Sequence, residues 1–157
     1  MPILLKHLNR VVSHDMLSFK MHSSKSTHHL FLASSDSSAF FPFNRTCDFQ
    51  VELPEVLYLN GNWTCSLTQI GFKDEIAQDI IVMCDLCEGS FIRDTRLPVL
   101  RYIPQTSQKS FDFVEPHSFT VSRDEVKRLR VFIRTGELLE PSFIQNPVTC
   151  TLVLKRE

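Results

Sequence analysis

Cys84 and Cys87, in the run "CDLC", have the spacing of half a zinc site. A structural zinc needs two further ligands. The other cysteines, Cys47, Cys65 and Cys150, are scattered singly, and the sequence holds no second CxxC and no HxxxH. A buried thiol pair is the plain reading, with metal binding and redox chemistry as its alternatives. His28 and His29 are adjacent, so on a strand they point to opposite faces. A cupin-type metal centre needs His-x-His followed by Glu, which the chain lacks. His117 stands alone beside Pro116 and reads as a loop residue. Asp74-Glu75 and Asp124-Glu125 are paired carboxylates in turn-like context, where solvated charge explains them. A serine or cysteine nucleophile needs a base and an orienting acid. Neither a nucleophile elbow nor a glycine-rich phosphate loop is present. The expectation is a chain that is not an enzyme, with no metal and no cofactor.

Binding chemistry has a better candidate. In "RLRVFIRT", Leu129, Val131 and Ile133 alternate with Arg128, Arg130, Phe132 and Arg134. On a strand this puts three guanidinium groups on one face around a phenyl ring. Such a face is either simply solvated or the centre of an interface, since interfaces are enriched in aromatic residues and arginine. A platform for single-stranded nucleic acid has the support of one Phe only. Asn44-Arg-Thr46 and Asn62-Trp-Thr64 match the glycosylation triplet, a short motif common by chance. Asn62 sits in a tight turn, and neither triplet is assigned a sugar.

The elements that must carry these residues read as strands. The chain has 157 residues, 43% of them apolar and 22% charged, enough for one domain with an ordinary core. A net charge of −1 supplies no global field toward nucleic acid or membrane. Thirteen Phe against one Trp and two Tyr favour a β core or a dry interface. An odd cysteine count argues against a fully paired extracellular framework. "MPILLKHLNRVV" is broken by Lys6, His7, Asn9 and Arg10 before an apolar run suits a signal peptide. No stretch approaches a membrane-spanning helix. A reducing compartment is expected.

Eight runs show strand patterning: "HHLFLAS", "CDFQVELP", "NWTCSLTQIGF", "DIIVMCD", "PVLRYIP", "SFDFVEP", "RLRVFIRT" and "VTCTLVLKR". "CDFQVELP" is expected to stop at Pro54, and "DIIVMCD" to be buried on both faces. Asn60-Gly61 is a turn signal. Ser122 and Glu125 have capping-box spacing and predict one helical turn. Without long amphipathic helices between strands, α/β is unlikely on pattern. Eight antiparallel strands in two sheets is the count of a jelly-roll sandwich. The fold expected over residues 30–157 is all-β: a single eight-stranded antiparallel jelly roll.

Residues 1–29 differ. They hold four basic side chains, Lys6, Arg10, Lys20 and Lys25, against Asp15, and five of the six histidines. Leu4, Leu8 and Val11 recur at helical spacing. The segment reads as a basic, His-rich arm that is disordered, packs on the domain as a helix, or orders against a partner.

The cadence "FQVELPEVLYLNGNWTCSLTQIGF", then "IIVMCDLCEGSFIRDTRLPVLRYIP", "KRLRVFIRTG" and "CTLVLKRE", resembles the penton-type minor capsid proteins of Polinton/Maverick elements, adintoviruses and adomaviruses. The likeness covers residues 46–157 and rests on strand and turn patterns. It implies a single vertical jelly roll whose five copies close icosahedral fivefold vertices among double-jelly-roll major capsid proteins. It further implies residence in the virion, with assembly in the host nucleus or cytoplasm. Phe72, Arg128, Arg130, Phe132 and Arg134 are the expected contacts between subunits, with Phe40 and Phe41 as further candidates. Leu4, Lys6, Leu8, Arg10, Val11, Lys20 and Lys25 are the expected anchor to the shell, with phosphate contacts to packaged DNA open to the arm. The competing readings are a cellular jelly-roll binding module, trimeric ligand-like or lectin-like, and, third, a cupin-type enzyme.

One strand poses a local question. Trp63, Cys65 and Leu67 share one parity, and Ile70 and Phe72 the other. A bulge or twist would bring both sets inward; otherwise Ile70 and Phe72 would lie against a neighbouring subunit.

Overall fold

Trp63, Cys65, Leu67, Ile70 and Phe72 are all buried in one core. Their strand, β3 (Trp63–Gly71), runs against the last strand, β11 (Thr149–Arg156). Leu67 is opposite Leu152, but Gln69 is opposite Thr151, so Thr68 is an extra residue. A one-residue bulge shifts the pleat by half a period, and side chains of the other parity then point inward. The phase change in the sequence is therefore the bulge itself. The turn before β3 is made at Gly61, whose φ of 92° suits glycine. The Trp63 indole N–H donates to the Asn60 carbonyl at 3.1 Å across that turn.

This is a computed structural model, and it describes residues 26–157. The arm residues named above lie outside the described residues. The remaining strands are β1 (Thr27–Ala33), β2 (Asp48–Tyr58), β4 (Ile80–Cys84), β5 (Ser90–Ile92), β6 (Thr95–Leu97), β7 (Val99–Ile103), β8 (Ser110–Asp112), β9 (Ser118–Thr120) and β10 (Glu125–Thr135). Every pairing is antiparallel. One sheet has the order β1-β11-β3-β8, with β9 also on β3, and the other the order β2-β10-β4-β7. A single apolar cluster draws on both sheets, with Leu30, Leu152 and Leu67 from the first and Phe49, Val131 and Val82 from the second. This is the construction of a β-sandwich. Among the described residues, no helix is long and apolar enough to cross a membrane.

The eight runs read from the sequence all carry strands. The described residues hold eleven strands, the further three being β5, β6 and β9. Each is three residues long; β8 is as short but lies in the longer alternating run "SFDFVEP". The β5–β6 hairpin stands apart as its own two-stranded sheet. β8 and β9 both pair with β3, β8 at Gln69–Gly71 and β9 at Thr64–Ser66, so they form one interrupted edge.

Two further expectations are corrected. β2 does not stop at Pro54 but runs on to Tyr58. β2 is an edge strand, and its register with β10 shifts between Arg128 opposite Glu52 and Val126 opposite Leu57. Pro54 lies in that irregular stretch, where its missing N–H costs no ladder bond. Lys127 fills the gap, its Nζ donating to the carbonyls of Leu53 at 2.6 Å and Pro54 at 3.1 Å. The helical turn at Ser122 is also absent. Ser122 donates through its N–H (2.8 Å) and Oγ (3.1 Å) to the Leu86 carbonyl, and β10 begins at Glu125.

At the sandwich edge between β7 and β8 a stack of rings closes the core. Phe72 meets Phe111 edge-on at 6.3 Å, Phe111 stacks on Phe113 at 6.2 Å, and the Arg101 guanidinium covers Phe113 at 4.2 Å. Such a cation over a ring face is held by the ring quadrupole.

Candidate interaction surface

Alternation along β10 does what the sequence predicts. Leu129, Val131 and Ile133 are buried in the core, which leaves Arg128, Arg130, Phe132 and Arg134 on the outer face. β2 supplies the neighbours: Arg128 is opposite Glu52, Arg130 opposite Gln50, and Phe132 opposite Asp48. The four β10 residues are thus brought together, and a set of acids lies among them.

Asp48 is the centre. Its Oδ1 accepts from Arg130 Nε at 2.7 Å, and its Oδ2 from Arg130 Nη2 at 2.7 Å and Arg134 Nη2 at 2.7 Å. Burial pushes the Asp48 carboxyl up, but the hydrogen bonds from Arg130 and Arg134 outweigh it and hold the group below its ordinary range. The same contacts raise Arg130. Glu52 pairs with Arg128 at 2.9 Å, and Arg45 reaches Glu140 at 2.6 Å. The basic stripe is therefore largely neutralised from within. Two carboxylates thus face three guanidinium groups, which lowers the free positive charge that a nucleic-acid platform along the strand face needs.

The apolar component is the phenyl groups. Phe132 lies half-buried with the Arg130 guanidinium 5.0 Å and the Arg134 guanidinium 5.6 Å from its ring centre. Arg128 sits 5.6 Å from the Phe41 ring. Phe41 belongs to the loop between β1 and β2, which also presents Phe40 at 66% and Phe43 at 92% exposure. Phe40, Phe41, Phe43, Arg45, Asp48 and Arg130 line an open groove of about 470 Å³. Asn44 stiffens the loop by acting as a strand partner for Gln50: its Oδ1 accepts the Gln50 N–H at 2.8 Å, and its Nδ2 donates to the Gln50 carbonyl at 2.8 Å.

Phe72 is not part of this surface. It is buried in the core of its own chain against Phe111. Sequence reasoning also missed Asp48 and Glu52, although "CDFQVELP" places Asp48, Gln50 and Glu52 on one face of an alternating strand. The readable signal was an acidic face and a basic face of matching length.

The other candidates fall as follows. All five cysteines are free and buried. Burial pushes the thiols of Cys47 and Cys150 up to about 12 and raises Cys84 as well. Among the described residues, no group of three or more His, Cys, Asp or Glu is arranged to hold a metal ion. His28 stacks on Trp63 at 5.3 Å, and exposed His29 faces the other way, toward Phe31. Asp74 tethers a distant loop, accepting from the N–H groups of Gln145 (2.9 Å) and Asn146 (2.8 Å) and from Asn146 Nδ2 (2.8 Å).

No family model matches the chain, and no curated protein matches it.

Proposed function

We propose that the chain is a non-enzymatic structural subunit of an icosahedral capsid: a single jelly roll of penton type, five copies of which close a fivefold vertex among double-jelly-roll major capsid proteins. The observation that carries this reading is the strand order. With β8 and β9 counted as one interrupted strand and the β5–β6 hairpin as an insertion, eight positions remain. In chain order they change sheet at every step but one between β1-β11-β3-β8/β9 and β2-β10-β4-β7; the exception is β4 to β7, which pair within the second sheet. This order supports a winding of two Greek keys into a jelly roll, an architecture found in viral capsid and lectin domains.

Surface chemistry supports assembly. A closed ring is built from heterologous contacts, so each subunit needs two different adhesive faces. One is the Phe40, Phe41, Phe43 and Phe132 surface with its paired arginines. The other sheet offers a second, where Phe31 and Val114 are 75% and 94% exposed beside Val153. The basic arm, with Leu4, Lys6, Leu8, Arg10, Val11, Lys20 and Lys25, is assigned to the inner side of the shell. There its apolar residues meet major capsid subunits, and its contacts with packaged DNA are to phosphate, without sequence preference. The working location is the virion, after assembly in the host nucleus or cytoplasm.

Native mass spectrometry of the full chain at rising concentration tests this, together with a particle reconstruction. Pentamers and density for the chain at the vertices are expected. A chain that stays monomeric at high concentration, or vertices that lack it, overturns the proposal. A trimer would favour the ligand-like module instead.

A further inference from the structure

Asn60-Gly61 lies in the turn between β2 and β3, and the dipeptide carries a reaction of its own. An asparagine side-chain amide is open to attack by the main-chain nitrogen of the next residue, which closes a succinimide ring. Glycine puts no Cβ in the path of that closure. Four asparagines lie among the described residues: Asn44, Asn60, Asn62 and Asn146. The fold restrains three of them and leaves one open.

Asn44 is locked. Both ends of its amide are bonded to the Gln50 main chain at 2.8 Å, and the nitrogen that would attack it belongs to Arg45, whose N–H donates to the Asp48 carbonyl at 2.9 Å. Asn146 precedes Pro147, whose nitrogen has no proton to lose, and its Nδ2 donates to Asp74 at 2.8 Å. Asn62 precedes the buried Trp63, a large side chain that crowds the closure. Asn60 is different, because it and Gly61 are both exposed. The chain is tied on either side of them, by the Leu59 N–H to the Asp124 carbonyl at 2.7 Å and by the Glu157 N–H to the Asn62 carbonyl at 3.0 Å. Between those ties, the one hydrogen bond among the described residues runs from Trp63 Nε1 to the Asn60 main-chain carbonyl at 3.1 Å. The Asn60 amide and the Gly61 N–H are therefore both free to react. The Arg156 guanidinium packs against Gly61, its Nη2 3.4 Å from where a Cβ would stand. A cation there favours loss of the amide proton.

We propose that Asn60 is a site of spontaneous modification, at which the folded protein deamidates as it ages and the β2–β3 turn becomes an isoaspartyl linkage. The Gly61 amide gives its proton to base, and its nitrogen attacks the Asn60 side-chain amide carbon. The carbon–nitrogen bond of that amide breaks and ammonia leaves. Water then opens the succinimide at one of its two carbonyls. Attack at the side-chain carbon restores the original main chain with an aspartate. Attack at the main-chain carbon routes the chain through the side chain and leaves isoaspartate. The balance is one water in and one ammonia out. Either product puts a negative charge at residue 60, next in the chain to the glycine that Arg156 covers. Isoaspartate also lengthens the main chain by one methylene between two core strands. The oxygen that now accepts from the Trp63 indole becomes part of a free carboxylate. The site is independent of the capsid reading, since it needs only the turn.

The test ages the purified full chain, folded, in warm and mildly alkaline buffer, with a second sample unfolded in urea. Both are digested with trypsin and read by mass spectrometry. The peptide Thr46–Lys73 holds both Asn60 and Asn62, so fragmentation assigns the change between them. In the folded chain Asn60 is expected to convert at least about tenfold faster than Asn44, Asn62 or Asn146. Because the turn is open, its rate is expected to stay within about tenfold of that in the unfolded chain. A protease that cuts before aspartate but not before isoaspartate separates the two products. Asn60→Gln, which cannot close the same ring, is expected to form none of the isoaspartate. Conversion led by another asparagine, a folded chain slowed beyond that limit, or isoaspartate still formed at the wild-type rate in Asn60→Gln overturns the proposal.

Discussion

Arg130 grips Asp48 with two parallel hydrogen bonds, Nε to Oδ1 and Nη2 to Oδ2, each 2.7 Å long. Fork-to-fork pairing of this kind is the strongest form of the contact. Here it also ties the edge strand β2 to β10, with Arg134 as a third donor. Asp48→Asn keeps the shape but loses the charge, leaving two guanidinium groups partly buried without a counter-ion. We expect a loss of about 2 kcal/mol in urea unfolding, with a larger loss for Asp48→Ala.

The same pair has a pH signature. The folded-state pKa of Asp48 is depressed, so its stabilisation is fully present above the unfolded carboxyl value of about 4 and is lost as pH falls through the folded value. The stability difference between the wild type and Asp48→Asn should therefore be flat above about pH 5 and shrink below it. A difference that stays constant down to pH 2 would show that the carboxylate charge is not what holds the two strands.

Asp74 acts locally. Its carboxyl is lowered by the hydrogen bond from the Asn146 backbone N–H, with the Asn146 side chain and the Gln145 N–H adding to it. The group is at the surface, so Asp74→Ala should leave the unfolding midpoint nearly unchanged. Hydrogen exchange at the Gln145 and Asn146 amides should rise at least about tenfold, because their acceptor is gone. Exchange elsewhere in the sandwich should not change.

The proposed assembly predicts a separation of folding from association. Phe40 and Phe43 are exposed and make no contribution to the core cluster. Phe40→Ser together with Phe43→Ser should leave melting unchanged and weaken self-association by tenfold or more, about 1.4 kcal/mol. Sedimentation across a concentration series reads both the mass and the constant. Association at wild-type strength would remove this loop from the interface.

Truncation probes the arm. Among the described residues the first strand begins at Thr27, and β1 pairs with β11 from Thr27 onward. Removing residues 1–25 should therefore keep the sandwich folded and the isolated ring intact, while lowering incorporation into shells. Truncated protein that enters particles as well as the full chain does would show that the arm is not an anchor.

The sequence made some of this legible and hid the rest for physical reasons. The seven strands of five residues or more were legible in the sequence, and the eighth reading, "SFDFVEP", carries the three-residue β8. β5, β6 and β9 have only three residues each, and they exist because β3 and the β4–β7 connection give them partners. Pro54 reads as a stop because proline lacks a donor. On an edge strand at a register shift that donor is not needed. The guanidinium stripe of β10 could be read from alternation alone. Its neutralisation could not, because Asp48 and Arg130 are 82 positions apart and meet only through the β2–β10 register.

Thr68 offers the sharpest test of how the fold is specified. It is the extra residue of β3 opposite the Thr151–Leu152 step of β11. Trp63, Cys65 and Leu67 before it and Ile70 and Phe72 after it all reach the core only because it is there. Its side chain is only partly buried, donating through Oγ1 to the Thr151 carbonyl at 3.2 Å. Thr68→Ala or Thr68→Ser should then be mild, about 1 kcal/mol or less. Deleting the residue is another matter. The pleat after Leu67 would invert, turning Ile70 and Phe72 toward solvent and Gln69 and Gly71 toward the core. Loss of two large core side chains exceeds about 5 kcal/mol, comparable to the whole stability of a domain of this size. The deletion variant should lose its near-ultraviolet circular dichroism and its cooperative melt, while Thr68→Ala keeps both. A deletion variant that melts cooperatively would mean that β3 can slide against β11 to restore its face, and that the bulge is not what fixes the register.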